Sequence, residues 1–310
     1  MEKRKIGSLE VSLAGVGCNN FGWRIDAEGT AAVVNAAIES GINFFDTADI
    51  YGGGQSEEFL GRALKGRRDK VLIATKFGMK MAEGKQGGKP AYVFRAAEDS
   101  LRRLETDYID LYQIHQPDPS TPVADTLGAL DELVKAGKVR EIGCSNFSAE
   151  QLREAAQATF KTGGPHFASA QNNYSLLHRE PEAEVLPECQ RLGIAFLPYF
   201  PLANGLLTGK YRQGQPFPKS SRAQDGFGPK VFTDENLALT EQLRGFAESH
   251  GHTLLELSMA WLAVKPVIAS VIAGAKTAEQ VKTNASSVAW KLTEADAAAV
   301  DGILTAKAHG

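Results

Sequence analysis

Gly41-Ile42-Asn43-Phe44-Phe45-Asp46-Thr47-Ala48-Asp49-Ile50-Tyr51 is the stretch on which the reading of the fold turns. The apolar run over residues 42–45 has the length of a buried strand and stops at a carboxylate. Five residues later Tyr51 enters a turn of three glycines, Gly52-Gly53-Gly54. A strand that ends in an acid and releases a tyrosine into the next loop suits the catalytic rim of a parallel β/α protein. Two further apolar runs follow: residues 71–75 end at Lys76, and residues 109–114 end at His115. Three consecutive strands thus deliver Asp46, Tyr51, Lys76 and His115 to one end of one sheet.

That set of side chains has a chemical logic. An isolated tyrosine, with a pKa of ~10, is a poor proton donor at neutral pH. A lysine ammonium beside it stabilises the phenolate and is expected to pull that pKa down. Asp46 is placed to hold Lys76 in position and keep it charged. His115 adds a second hydrogen-bonding group opposite the tyrosine. Together they would polarise a carbonyl oxygen and protonate it as it becomes an alkoxide.

Helical and strand patterns alternate along the rest of the chain. Residues 4–13 alternate around Gly7-Ser8, which predicts a short hairpin, and a strand over 13–17 follows. Further strands are expected at 139–143, 168–170, 194–197 and 270–272, with helices between them. Eight apolar strands separated by helices, with no composition shift to mark a linker, predict an α/β fold. Its form is a (β/α)8 TIM barrel spanning residues 1–310 as one domain. An open doubly wound sheet is the rival, but Gly17-Cys18-Asn19-Asn20-Phe21-Gly22 after the first strand lacks the G-x-G-x-x-G spacing.

Composition narrows the function classes. At 43% hydrophobic, 23% charged and a formal net charge of −3, the chain shows no basic run suited to nucleic acid. The most hydrophobic C-terminal stretch, 254–274, is interrupted by Glu256, Lys265 and Pro266 and is not expected to span a membrane. No signal core follows the N-terminus, and Cys18, Cys144 and Cys189 form no CxxC, so a cytoplasmic location is expected, with neither disulfides nor a metal site. His250-Gly251-His252 is expected to be a helix end and turn. Gln55-Ser56-Glu57-Glu58 is expected to be the acidic first turn of a helix, and Asp110 a structural ion-pair member.

With these residues placed, the sequence resembles the aldo-keto reductases from about residue 4 to residue 284. The matching motifs are Asn43-Phe44-Phe45-Asp46-Thr47-Ala48-Asp49-Ile50-Tyr51-Gly52, Ala74-Thr75-Lys76, Asp110-Leu111-Tyr112-Gln113-Ile114-His115, Gly143-Cys144-Ser145-Asn146-Phe147, and Pro201-Leu202 through Lys210-Tyr211. The subgroup is similar to the bacterial general reductases, which in turn resemble the β subunits of voltage-gated potassium channels. The resemblance implies Tyr51 as acid/base, Lys76 as its pKa modulator, Asp46 as the partner of Lys76, and His115 as substrate-orienting group. It further implies NADP(H) lying across the barrel mouth. Ser145, Asn146 and Gln171 would hold the carboxamide, and Tyr199 would stack on the nicotinamide. Leu202, Gly205 and Lys210 would cover the pyrophosphate with Arg222 beyond them, while Gly274, Lys276, Gln280 and Asn284 would meet the adenosine end. Trp23 would line the substrate pocket with Tyr51 and His115, and Gly22 and Arg24 would touch the cofactor. The stretch 202–231 is expected to be a long cofactor-covering loop that closes as a lid.

Lys276 carries an argument of its own. Thr277-Ala278-Glu279-Gln280 has the form of a capping box, so a helix is expected to start there with a lysine beside its N-terminus, a pairing that attracts phosphate. NADP(H) is therefore expected over NAD(H). The leading expectation is an NADP(H)-dependent reductase of a small-molecule carbonyl substrate, with oligomeric state open. Two rivals stand beside it: a regulatory NADP(H)-sensing protein of low turnover, and an aldolase using Lys76 as a Schiff base, which Asp46 argues against.

Overall fold

The structure is a computed structural model that describes residues 1–218 and 228–305. A hairpin of β1 (Lys3–Ile6) and β2 (Leu9–Ser12) leads into β3 (Ala14–Gly17). From there the chain alternates: α1 (Ala27–Glu39), β4 (Phe44–Asp46), α2 (Gln55–Ala63), β5 (Leu72–Phe77), α3 (Pro90–Leu104), β6 (Ile109–Ile114), α4 (Val123–Lys135), β7 (Val139–Ser145), α5 (Ala149–Thr162), β8 (Ser169–Asn173), α6 (Val185–Leu192) and β9 (Ala195–Tyr199). The short α7 (Gly228–Val231) and then α8 (Asp234–Ser249) and α9 (Leu254–Ala263) precede β10 (Val271–Gly274); α10 (Ala278–Ser287) and α11 (Glu294–Thr305) follow it.

Strands β3 to β9 pair in parallel in chain order, and β10 pairs with β3 on the other side. The two outer strands meet where Phe196 N–H donates to Val267 O at 2.8 Å and Ala269 N–H donates to Phe196 O at 3.1 Å. The expected barrel is therefore observed. Its strands are buried on both faces, which is why they read as continuous apolar runs.

The hairpin plugs the N-terminal end of the barrel. Ile6, Leu9 and Val11 pack under Phe44, Leu111, Leu197 and Ile272 in a cluster separate from the larger core between strands and helices. Arg4 latches it: Nη1 donates to Lys265 O and Ile268 O at 2.9 and 2.6 Å, and Nη2 donates to Ala263 O at 2.6 Å. The chemistry is left to the opposite, C-terminal mouth.

Two strands run further than the apolar pattern indicated. Asp46 is part of β4 and Lys76 lies inside β5, because backbone pairing continues past them: Thr47 N–H donates to Ala74 O and Asp49 N–H donates to Lys76 O. Both charges therefore sit a layer inside the barrel and not on its rim. The stretch 202–218 wraps the mouth through a distorted turn at Ala203–Thr208. The remainder of the expected covering loop, including Lys219 and Arg222, lies outside the described residues.

The outer layer depends on one close approach. A Cβ on Gly61 of α2 would stand 2.6 Å from Leu104 O and 2.7 Å from its carbonyl carbon, at the end of α3. Gly61→Ala gains ~1 kcal/mol of helix propensity but collides with backbone that cannot swing away, and overpacking costs about 1–3 kcal/mol. Gly245 of α8 meets nothing within 4 Å. Urea unfolding should therefore show Gly61→Ala destabilised and Gly245→Ala stabilised, despite identical chemistry.

Candidate active site

Asp46 is the hub of the C-terminal mouth. Its Oδ2 accepts from Lys76 Nζ at 2.6 Å, and Oδ1 accepts from Gln171 Nε2 at 2.9 Å and Gln113 Nε2 at 3.3 Å. Lys76 Nζ also donates to Thr47 O at 2.9 Å and lies 5.2 Å from the centre of the Tyr51 ring. Register explains the convergence: Asp46 pairs with Ala74 on β5, and Lys76 pairs with Gln113 on β6. Alternation along each strand then aims Asp46, Lys76 and Gln113 into the barrel interior. Tyr51 and His115 meet edge to face, with ring centroids 5.8 Å apart and planes at 80°.

The electrostatics correct one expectation and support another. Burial raises the Tyr51 pKa, and the opposing Lys76 charge does not overcome it, so the phenol is held protonated in this site. Lys76 is fully buried, which disfavours its charge. Asp46, aided by Tyr51, more than reverses that, and the ammonium persists. Burial, with the Lys76 charge adding, pushes His115 down to about 3, so its imidazole is neutral. The floor of the mouth therefore holds the Lys76 ammonium, a protonated phenol and a neutral imidazole.

Above this floor opens a cavity of about 640 Å³. Its wall includes Asp46, Tyr51, His115, Ser145, Asn146, Gln171 and Tyr199, and continues through Leu202, Gly205 and Lys210 to Gly274, Lys276, Gln280 and Asn284. Arg24 also lines it. Lys76 lies beneath the floor. Trp23 stands apart: it is 59% exposed and outside the wall, with Arg24 stacked on its ring at 4.4 Å. Gly22 is also off the wall; its φ of 72° and a would-be Cβ 2.4 Å from Gln55 Cβ make it a packing position against α2. Arg222 falls outside the described residues.

The residues expected to bind cofactor are tied to one another. The Gln171 carbonyl accepts from Ser145 Oγ at 2.8 Å and from Asn146 N–H at 3.0 Å. Asn146, at φ 63°, donates from Nδ2 to His115 O at 2.9 Å and accepts from the Tyr199 hydroxyl at 2.8 Å. At the other end Thr277 caps α10, but Gln280 does not complete the expected capping box; its Oε1 takes the Lys276 N–H at 2.8 Å. The fit to a dinucleotide is good in kind: amides at one end, lysines along the path and a helix N-terminus at the far end.

Several wall residues escaped the sequence reading. Asn19 and Asn20 follow β3 and Gln116 follows His115, so the strand-end rule that found Asp46 could have found them. Met79 and Thr283 carry no such signal. Gln113 was legible as the inward neighbour two residues before His115. Residues 55–58 form the expected acidic first turn of α2, and Glu57 within it is fully buried.

A family model described as the aldo/keto reductase family matches residues 14–305. A probable aldo-keto reductase of Glycine max is 35% identical over 303 residues, which is 94% of this chain and 86% of that protein. An aldo-keto reductase of Bacillus subtilis is 35% identical over 306 residues, covering 96% of this chain and 91% of the relative. Among solved structures, a glycerol dehydrogenase from Gluconobacter oxydans superposes with a TM-score of 0.85 at 32% identity, over 99% of this chain and 96% of that one. The holo form of an aldo-keto reductase from Bacillus halodurans gives 0.82 at 32%, over 98% and 96%.

The buried, neutral His115 is directly observable. In the unfolded chain a histidine titrates at ~6.5. In the folded protein the His115 ring resonances should stay fixed down to about pH 5, as followed by NMR of histidine-labelled protein. The unfolded state then gains a proton that the native state refuses, so the His115 contribution to stability should fall as pH drops below ~6.5. His115→Gln should remove that part of the acid sensitivity.

Proposed function

The chain belongs to the aldo-keto reductase family, and on that premise we propose that it is an NADP(H)-dependent reductase of aldehydes or ketones with Tyr51 as proton donor. The observation that carries this reading is the Lys76 ammonium, 2.6 Å from Asp46 and beneath the Tyr51 ring at the floor of the cavity. A fully buried cation tied to one acid and facing one phenol is costly to assemble, and its use is to stabilise the phenolate left when Tyr51 gives up its proton.

The nicotinamide supplies the hydride when bound. Ser145, Asn146 and Gln171 would hold its carboxamide, Tyr199 its ring, Gly205 and Lys210 its pyrophosphate, and Lys276, Gln280 and Asn284 its adenosine end. The remaining work belongs to this chain. Neutral His115 donates a hydrogen bond to the carbonyl oxygen and adds no charge. Tyr51 transfers its proton as that oxygen becomes an alkoxide, and the raised phenol pKa keeps the proton available until then. Asp46 keeps Lys76 charged and fixed, and through Gln171 it also holds the amide that orients the cofactor. Retention of the hydroxyl's role is testable with Tyr51→Phe. Carbonyl-dependent loss of NADPH absorbance should vanish, while NADPH fluorescence titration should be nearly unchanged. Turnover above a few per cent of wild type would remove Tyr51 from the role, and Lys76→Met should be equally inactive.

The preference for NADP(H) rests on Lys276, half-buried in the cavity wall beside the N-terminus of α10. Glu279 lines the same wall and opposes it, so the lysine must dominate. Lys276→Ala should weaken NADPH binding by ~1–3 kcal/mol, the worth of a charge-assisted phosphate contact, and leave NADH almost untouched. An equal loss for both would show that Lys276 does not read the 2′-phosphate.

A further inference from the structure

Behind Tyr51 lies a second buried charge cluster that the reaction above does not use. Glu57 of α2 is fully buried; it accepts from Thr75 Oγ1 at 2.5 Å and from Arg103 Nε at 2.6 Å. Thr75 is the neighbour of Lys76, and the arm of Arg103 packs on the turn that follows Tyr51: a Cβ on Gly54 would stand 2.9 Å from Arg103 Cδ. Asp49, 2% exposed, completes the cluster from within that turn. Its backbone N–H donates to Lys76 O at 3.1 Å, its carboxyl faces Tyr92, and its Oδ1 is buried with no hydrogen-bond partner.

The charges do not balance if every group ionises. Asp49 is faced by Glu57 from α2, by Arg103 and Tyr92 from α3, and by the buried Tyr112 from β6, with Arg95 and Asp99 at the outer edge. One guanidinium serves two carboxyls, and Glu57 holds it at bonding distance. An ionised Asp49 would be a surplus buried charge with one oxygen unsatisfied. Burial first, then the Glu57 charge, raises Asp49 to about 7 against the pull of Arg103.

We propose that Asp49 is a positioning residue for Tyr51: as the neutral acid it closes the buried network that seats the 49–54 turn, and ionisation loosens that turn and withdraws the proton donor. This rests on the reading of Tyr51 as proton donor. Because Asp49 binds its proton more tightly folded than unfolded, the native state gains most at low pH. That advantage is lost as pH rises from the ordinary carboxylate range to about 7.

The test compares wild type, Asp49→Asn and Glu57→Gln in the NADPH-linked reduction of benzaldehyde across pH, with NADPH affinity measured alongside. The infrared band of a protonated buried carboxyl is followed in parallel. Between about pH 6 and about pH 8 the neutral fraction of Asp49 falls roughly tenfold, and the wild-type kcat relative to Asp49→Asn should fall by as much with NADPH affinity unchanged. The infrared band should fade over the same range and be missing from Asp49→Asn. Glu57→Gln leaves Asp49 as the acid beside Arg103, so its step should move to lower pH. Parallel kcat profiles in active wild type and Asp49→Asn, or no titrating carboxyl band, would overturn the role of Asp49 alone. Absence of any carbonyl reduction by wild type would overturn the reductase reading, and the positioning role with it.

Discussion

The ion pair between Lys76 and Asp46 is the constraint around which the mouth of the barrel is arranged. Two opposite charges buried at 2.6 Å are tolerable only if the remaining hydrogen-bonding capacity of both is used. Lys76 spends a further bond on the Thr47 carbonyl, and the second carboxylate oxygen of Asp46 is covered by Gln171 and Gln113. Four strands are thereby committed to one carboxylate. The arrangement fixes Gln171 as firmly as it fixes Lys76, so the proposed proton-donor machinery and the proposed cofactor-holding amide share one anchor.

Burial, more than direct pairing, sets the protonation states around that anchor. The same dry environment that raises the tyrosine depresses the histidine, with the Asp46 charge adding to the first and the Lys76 charge to the second. A donor that keeps its proton and an imidazole that carries no charge suit work on a neutral carbonyl group. The cationic side of the site is kept elsewhere, on Lys210 and Lys276, where the wall meets solvent and where anionic groups would enter.

Much of this was legible in the chain alone. Strand-terminal Asp46, Lys76 and His115 were found by the position of polar residues after apolar runs, and that rule holds wherever a parallel strand emerges at a working face. It misjudged depth, because ladder pairing continues through backbone bonds that side-chain character does not report. Glu57 was read as part of an acidic helix start, which it is, but its burial was not legible, because the arrival of Arg103 from α3, 46 positions later, is what makes that burial tolerable. Asp110, by contrast, was correctly read as structural, held by Arg68 and Arg140 at 2.6 and 2.7 Å. The Gln280 contact with Lys276 N–H departs from the cap motif by a single residue, a difference that no sequence pattern resolves.

The Arg4 latch has a consequence for biosynthesis. Its acceptors are the carbonyls of Ala263, Lys265 and Ile268, about 260 positions downstream. The latch can therefore close only after residues 263–268 have been made, long after the hairpin itself. Until then Ile6, Leu9 and Val11 lack the part of their cover that Ala269 and Ile272 supply. The apolar face of the hairpin is thus completed only by the last strand of the barrel.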